Sequence, residues 1–214
     1  MANNGDRTPE HDFLFKYILI GDSGVGKTCL MTQATNSKFI PNHDSTIGVG
    51  SGTRILHIDG YPTTRVMIWD TAGTEVFKSI ALSYFRGAIG AFLVYDITRR
   101  YTFDHIMEWL SDTKKHCNPD CVIMMVGNKR DLSDERQVTR DEASTFAKRN
   151  NLLFMETSAK TAYNVEEAFA VLSTEIYDRV RDGRINMSQC VPGIIRPEET
   201  GSIEKNRPKH SYCK

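Results

Sequence analysis

The eight residues Gly21-Asp22-Ser23-Gly24-Val25-Gly26-Lys27-Thr28 constrain this chain more than any other stretch of it. They satisfy the spacing G-x-x-x-x-G-K-[ST] of a phosphate-binding loop. A triphosphate is a dense anion, and side chains alone would need several cations in one small volume to neutralise it. Consecutive backbone N–H groups that point inward do much of that work. Such a loop bends tightly and lies against its ligand, which favours residues without a Cβ. A helix starting at Lys27 adds free N–H groups and a positive dipole end. Lys27 then reaches the β- and γ-phosphates, and the Thr28 hydroxyl ligates Mg²⁺. Chance alone produces the spacing in roughly one chain in a hundred of this length, so an ordinary glycine turn has to be weighed against a site. The flanks favour the site. Residues 13–20 form a short, largely apolar strand that runs into the loop, and the segment after Lys27 reads as a helix with Leu30, Met31 and Ala34 on one side.

The rest of the chain repeats that alternation. Strand signals occupy 53–58 and 64–69, joined by Asp59-Gly60, a hairpin dipeptide. Residues 91–95, 122–126 and 152–155 are further apolar strands. Phe103, Ile106, Met107 and Leu110 mark an amphipathic helix, another spans about 140–150, and Val165, Ala168, Phe169, Leu172, Ile176 and Val180 share one face of a last helix. Apolar strands alternating with such helices predict an α/β, doubly wound, mainly parallel six-stranded sheet with one antiparallel hairpin strand. Residues 37–51 and the stretch from Asp70 to Arg86 show no period. The divisions are a flexible N-terminus (1–12), one domain (13–181) and a flexible tail (182–214) where prolines and charges replace apolar periodicity.

Composition narrows the class. Of 214 residues 27 are basic and 27 acidic, and zero net charge gives no support for nucleic-acid binding. No apolar run approaches the ~20 residues that span a bilayer, and residues 1–12 carry no secretory signal. The five cysteines form no C-x-x-C pair and no Cys/His cluster, which fits reduced thiols in the cytosol. Zinc at Cys117 and Cys121 has little support, since His116 alone lies beside them and a zinc site takes three or four ligands. His43 and Asp44 read as solvated loop residues, and Met124, Met125 and Met155 as core.

Ligands of such sheets bind at the carboxyl ends of the strands, and three further motifs lie there. Asp70-x-x-Gly73 suits Mg²⁺ through water and a γ-phosphate at the Gly73 N–H, although a strand-end turn has the same sequence. Asn128-Lys129-Arg130-Asp131 places a carboxylate that accepts from both N1–H and the 2-amino group of guanine. Adenine would leave that carboxylate unpaired, a mismatch worth up to ~10⁴ in discrimination. A charged surface turn is the alternative. Ser158-Ala159-Lys160 supplies a backbone N–H for the guanine carbonyl and a lysine stem for stacking, as does the stem of Lys129.

GDSGVGKT, Thr46 in an exposed loop, WDTAG, NKRD and TSAK, in this order and spacing, resemble the motif set of Ras-superfamily small GTPases. STIGV, IWDTAG, SYFRGA and LVYDIT look like the Rab branch, which directs vesicle traffic. YDITRR with METSAKTA and NVEEAF is similar to Rabs of the endoplasmic reticulum–Golgi and endosomal routes. The resemblance covers about 13–181. It implies GTP or GDP bound by Asp22, Ser23, Gly24, Val25, Gly26, Lys27, Thr28, Cys29, Phe39, Thr46, Gly73, Asn128, Lys129, Asp131, Ser158, Ala159 and Lys160. Mg²⁺ falls to Thr28, Thr46 and Asp70, and hydrolysis to Lys27, Thr46, Gly73 and Thr74. Residues 37–51 and 70–86 become the two switches that meet effectors, an exchange factor and an activating protein. The resemblance further implies a monomer on the cytosolic face of endomembranes once Cys213 is prenylated.

Three departures from that pattern stand out. Rabs usually carry glutamine, which orients the attacking water, where this chain has Thr74. The chain reads Ile47-Gly48-Val49-Gly50-Ser51 where Rabs read IGVDF or IGVEF, so an effector-binding aromatic triad keeps Trp69 and Tyr84 but has Ser51. The end, Tyr212-Cys213-Lys214, holds one cysteine rather than two, and a single lipid chain anchors weakly. Two alternatives to a timed switch stay open: a module held GTP-bound with negligible hydrolysis, and a P-loop phosphotransferase. The latter leaves Asp131 and Ser158 without a role and lacks an arginine-rich lid.

Overall fold

The computed structural model describes residues 12–41, 46, 48–73, 78–185 and 194–195. Elements follow in the order β1 (Phe13–Ile20), α1 (Lys27–Asn36), β2 (Val49–Leu56), β3 (Thr64–Thr71), α2 (Lys78–Phe85), β4 (Gly90–Asp96), α3 (Arg100–Asp104), α4 (Ile106–His116) and β5 (Val122–Asn128). A short 3-10 helix (Arg130–Glu135), α5 (Arg140–Arg149), β6 (Leu153–Glu156), α6 (Val165–Arg181) and β7 (Ile194–Ile195) complete it. The sheet order is β2-β3-β1-β4-β5-β6. Only β2 among these six runs antiparallel to its neighbour, through the hairpin with β3. This is the doubly wound, mainly parallel α/β sheet with one antiparallel hairpin strand that the alternation predicts.

Strands β4 and β5 are buried at every position because helices cover both faces, as a parallel sheet requires. On one face Leu30 and Ala34 of α1 and Val165, Ala168, Phe169, Leu172 and Ile176 of α6 pack with Phe15, Tyr17 and Phe92. On the other, Ile106, Trp109 and Leu110 of α4 and Ala143 and Ala147 of α5 pack with Ile18, Ile20, Leu93 and Tyr95. Each fully buried side chain of this size contributes about 1.5–3 kcal/mol.

The structure changes four local expectations. Strand β2 starts at Val49 rather than 53, since Val49 to Gly52 pair with Thr71 to Ile68. Gly52 suits that position because a Cβ there would lie 3.0 Å from Thr35 Cγ2 on α1. The stretch from Asp70 to Arg86, expected to be irregular, contains α2. The amphipathic helix divides at His105, and Met107 is 50% exposed whereas Trp109 is buried. The i, i+3, i+4 set 106, 109, 110 is therefore the apolar face. Beyond residue 181, Ile185 is buried, and β7 pairs with Leu14 and Phe15. Strand β4 pairs with β1 only from Tyr17 onward, so the first half of β1 offers β7 an open edge.

Candidate functional site

The motif loops after β1, β3, β5 and β6 leave the carboxyl ends of those strands, parallel order brings the ends to one edge, and Thr46 from the loop between α1 and β2 joins them there. A cleft of about 370 Å³ lies there, lined among others by Ser23, Gly24, Gly26, Lys27, Thr28, Cys29, Phe39, Thr46, Gly73, Asn128, Lys129, Asp131, Ala159 and Lys160. Ile40 and Leu132, which the motifs do not single out, line it too. Of the expected residues, Thr74 lies outside the described residues, as does Cys213. Asp22, Val25, Asp70 and Ser158 are not among the lining residues, although each neighbours or bonds one that is.

The phosphate-loop end is built by close approach. Gly26 has φ +99°, and a Cβ on it would lie 2.4 Å from Asn128 Nδ2. That amide donates to the Val25 carbonyl at 2.8 Å, so Asn128 fastens the loop to β5. Lys27 is buried, and its Nζ donates to the Gly21 carbonyl at 2.6 Å and the Asp22 carbonyl at 2.8 Å. Burial lowers its pKa to about 8, with Asp70 and Asp22 opposing the shift and Arg99 adding to it. A desolvated ammonium held by neutral carbonyls is stabilised by an anion. Gly73 stands opposite: a Cβ there would lie 2.5 Å from Lys27 Nζ and 2.4 Å from the Asp22 carbonyl carbon.

Beside Lys27 three hard oxygen donors meet. The Thr28 hydroxyl is 2.8 Å from that of Thr46 and donates to Asp70 Oδ2 at 2.5 Å. Two hydroxyls and a carboxylate suit Mg²⁺, which takes few protein ligands and keeps water and phosphate oxygens. The donor set fits the ion.

At the other end of the cleft, Asp131 Oδ1 accepts from Ser158 Oγ at 2.6 Å, and Lys160 Nζ lies 4.0 Å from Oδ2. The Ala159 N–H donates to Asn128 Oδ1 at 3.2 Å, which also accepts from Thr157 Oγ1 at 3.2 Å. Asn128 thus links the loops after β1, β5 and β6. Phe39 is 37% exposed at the cleft edge.

A model of the Ras family matches residues 16–178, which includes every motif above. The chain belongs to the Ras family. Its members are GTP-binding switch GTPases that bind GTP and GDP with Mg²⁺.

Four residues beside the site, His105, Trp109, Asp96 and Arg99, belong to no nucleotide-binding motif. The Asp22 carboxylate accepts from His105 Nδ1 and Trp109 Nε1, each at 2.8 Å. This bond raises the His105 pKa, opposed by slight desolvation and aided by the charges of Asp22, Glu108 and Asp104. Asp96 and Arg99, at the end of β4, lie behind Lys129 and the phosphate loop. Their position at a strand's carboxyl end was the available signal.

Proposed function

We propose that this Ras-family GTPase is a Rab-type switch of vesicle traffic. Guanine recognition rests on Asp131, phosphate binding on the 22–29 loop with Lys27, and the ion on Thr28, Thr46 and Asp70. The observation that carries the nucleotide-switch part of the reading is one cleft lined by Thr28 and Thr46 at one end and Asp131 at the other, and the Rab part rests on the stretches STIGV, IWDTAG, SYFRGA and LVYDIT. Mg²⁺ held by these residues would supply charge neutralisation for the phosphates. Thr46 and the Gly73 N–H hold the two switches only while a γ-phosphate is present, so its loss releases them. Residues 37–51 and 70–86 then change shape together, and effectors bind the ordered form. Gly73, Lys27 and Thr46 position and stabilise the reacting phosphate, with Thr74 in the place of the water-orienting glutamine. Residues 13–181 make up the nucleotide-binding domain, and Cys213 is a candidate for prenylation at endomembranes. No helix among the described residues is long and apolar enough to cross a membrane.

Thr74 favours a second reading, a module held GTP-bound with negligible hydrolysis. Competition binding of GTP, GDP, ATP and XTP tests what both share. Wild type is expected to bind GTP and GDP and not ATP, and Asp131→Asn to lose guanine and gain xanthine. Equal affinity for ATP and GTP would remove the switch reading.

A further inference from the structure

The carboxylate of Asp96 is buried at the last residue of β4, outside every nucleotide-binding motif. Each of its oxygens takes two donors. Oδ1 accepts from the Thr98 N–H at 2.9 Å and the Thr98 hydroxyl at 2.7 Å. Oδ2 accepts from Arg99 Nε at 2.8 Å and pairs with Lys129 Nζ at 2.7 Å. Burial by itself would raise the pKa of this group, but the bonds from Lys129 and Thr98 hold it below the usual carboxylate range. Asp96 is therefore a charged, saturated acceptor.

Of the two cations it holds, Lys129 lines the cleft and Arg99 touches the phosphate loop that lines it. Lys129 sits in the left-handed region at φ 68° between Asn128 and the 3-10 helix that carries Asp131, and it lines the base end of the cleft. Arg99 reaches the phosphate loop. Its guanidinium donates to the Ser23 carbonyl at 3.4 Å, and a Cβ on Gly24 would lie 3.3 Å from it. A lysine and an arginine so close repel one another unless an anion lies between them.

We propose that Asp96 is a positioning residue for guanine nucleotide, a single buried carboxylate that sets the Lys129 stem over the base and ties it through Arg99 to the phosphate loop. This rests on the guanine-nucleotide reading of the cleft. Without the carboxylate the Lys129 ammonium loses its anchor and the stem its fixed rotamer, so ligand release accelerates. A role confined to capping the β4–α3 turn through Thr98 would lower stability without coupling to Lys129.

The test is release of a fluorescent GDP analogue from the full chain with Mg²⁺, chased by excess GDP. Asp96→Asn keeps the size and an acceptor for Thr98 but removes the charge. Release is expected to be about ten- to a hundredfold faster, as for the loss of a charge-assisted bond. Lys129→Met keeps the stem and removes the ammonium; it too is expected to speed release. The double variant is then no faster than the faster single one, because the two act as one unit. An unchanged rate in Asp96→Asn, or effects that multiply in the double variant, overturns the proposal. Should Asp96→Asn not fold, the cycle of Arg99→Gln with Lys129→Met reads the same coupling in partly exposed side chains. Multiplying effects there also overturn it. Failure of wild type to bind GDP at all sinks the guanine reading as well, and is distinguished at the first measurement.

Discussion

The hydroxyl of Thr28 lies 2.8 Å from the hydroxyl of Thr46, although one opens a helix and the other lies in the loop between α1 and β2. Asp70 shares the cluster through Thr28. If these oxygens hold Mg²⁺, Thr28→Ala is expected to weaken the ion by about 10–100-fold. Chelation should then accelerate GDP release strongly in wild type and little in the variant. Equal acceleration in both would place the ion elsewhere.

Effector choice is expected to depend on Ser51. It pairs with Trp69 in the β2–β3 register, and the Trp69 and Tyr84 rings lie 5.1 Å apart. An aromatic at the exposed Ser51 would extend that pair. Serine gives up about 1–3 kcal/mol of burial available to a partner. On the Rab-type reading, Ser51→Phe with Gly50→Asp should gain an effector that binds Rabs in pull-downs of GTP-loaded protein. No gain would put the position outside the contact surface.

Unassisted hydrolysis is expected to be slow because of Thr74. Removing an oriented polar group from a charge-stabilising site costs on the order of 10²–10³ in rate, but unassisted turnover of such sites is already inefficient, so the loss here should be nearer ~10-fold. Single-turnover hydrolysis of preloaded GTP compares wild type with Thr74→Gln. A faster glutamine variant supports the assignment. An equal rate shows that Thr74 does not limit turnover and removes the motive for the locked module.

The His105–Asp22 pair gives a pH dependence with a defined sign. The hydrogen bond to Asp22 raises the folded-state pKa of His105, while the unfolded value stays near ~6.5. Its stabilisation is therefore fully present below the unfolded pKa and is lost as pH rises through the folded one. Asp22, Asp104 and Glu108 are the charged groups that face the ring, with Tyr101 edge-on beside it. His105 is half exposed, so solvent screens the pair and the effect is small. His105→Ala should lower Tm more in mildly acidic than in mildly alkaline buffer. A deficit independent of pH would mean that the ring acts by packing alone.

The sequence by itself determined what is local or periodic. The glycine spacing of 21–28, the buried-type runs at β1, β4 and β5 and the face of α6 specify a parallel sheet with a phosphate loop. Such signals arise from backbone conformation and from one-sided burial, both of which a short window of residues contains. The tertiary structure alone decided which distant groups meet. Val49 to Gly52 read as a loop because glycine and serine carry no strand preference, yet cross-strand pairing with β3 and tight packing on α1 make them β2. Met107 and Leu110 look equivalent in sequence, but only Leu110 faces the sheet. Asp96 lies in no nucleotide-binding motif, because its contacts are with two cations three and thirty-three positions downstream, Arg99 and Lys129. Their meeting depends on β4 and β5 ending side by side, with Asp96 opposite Asn128. A carboxylate's partners are fixed by distances of a few ångströms in space, and that information exists only once the chain has folded.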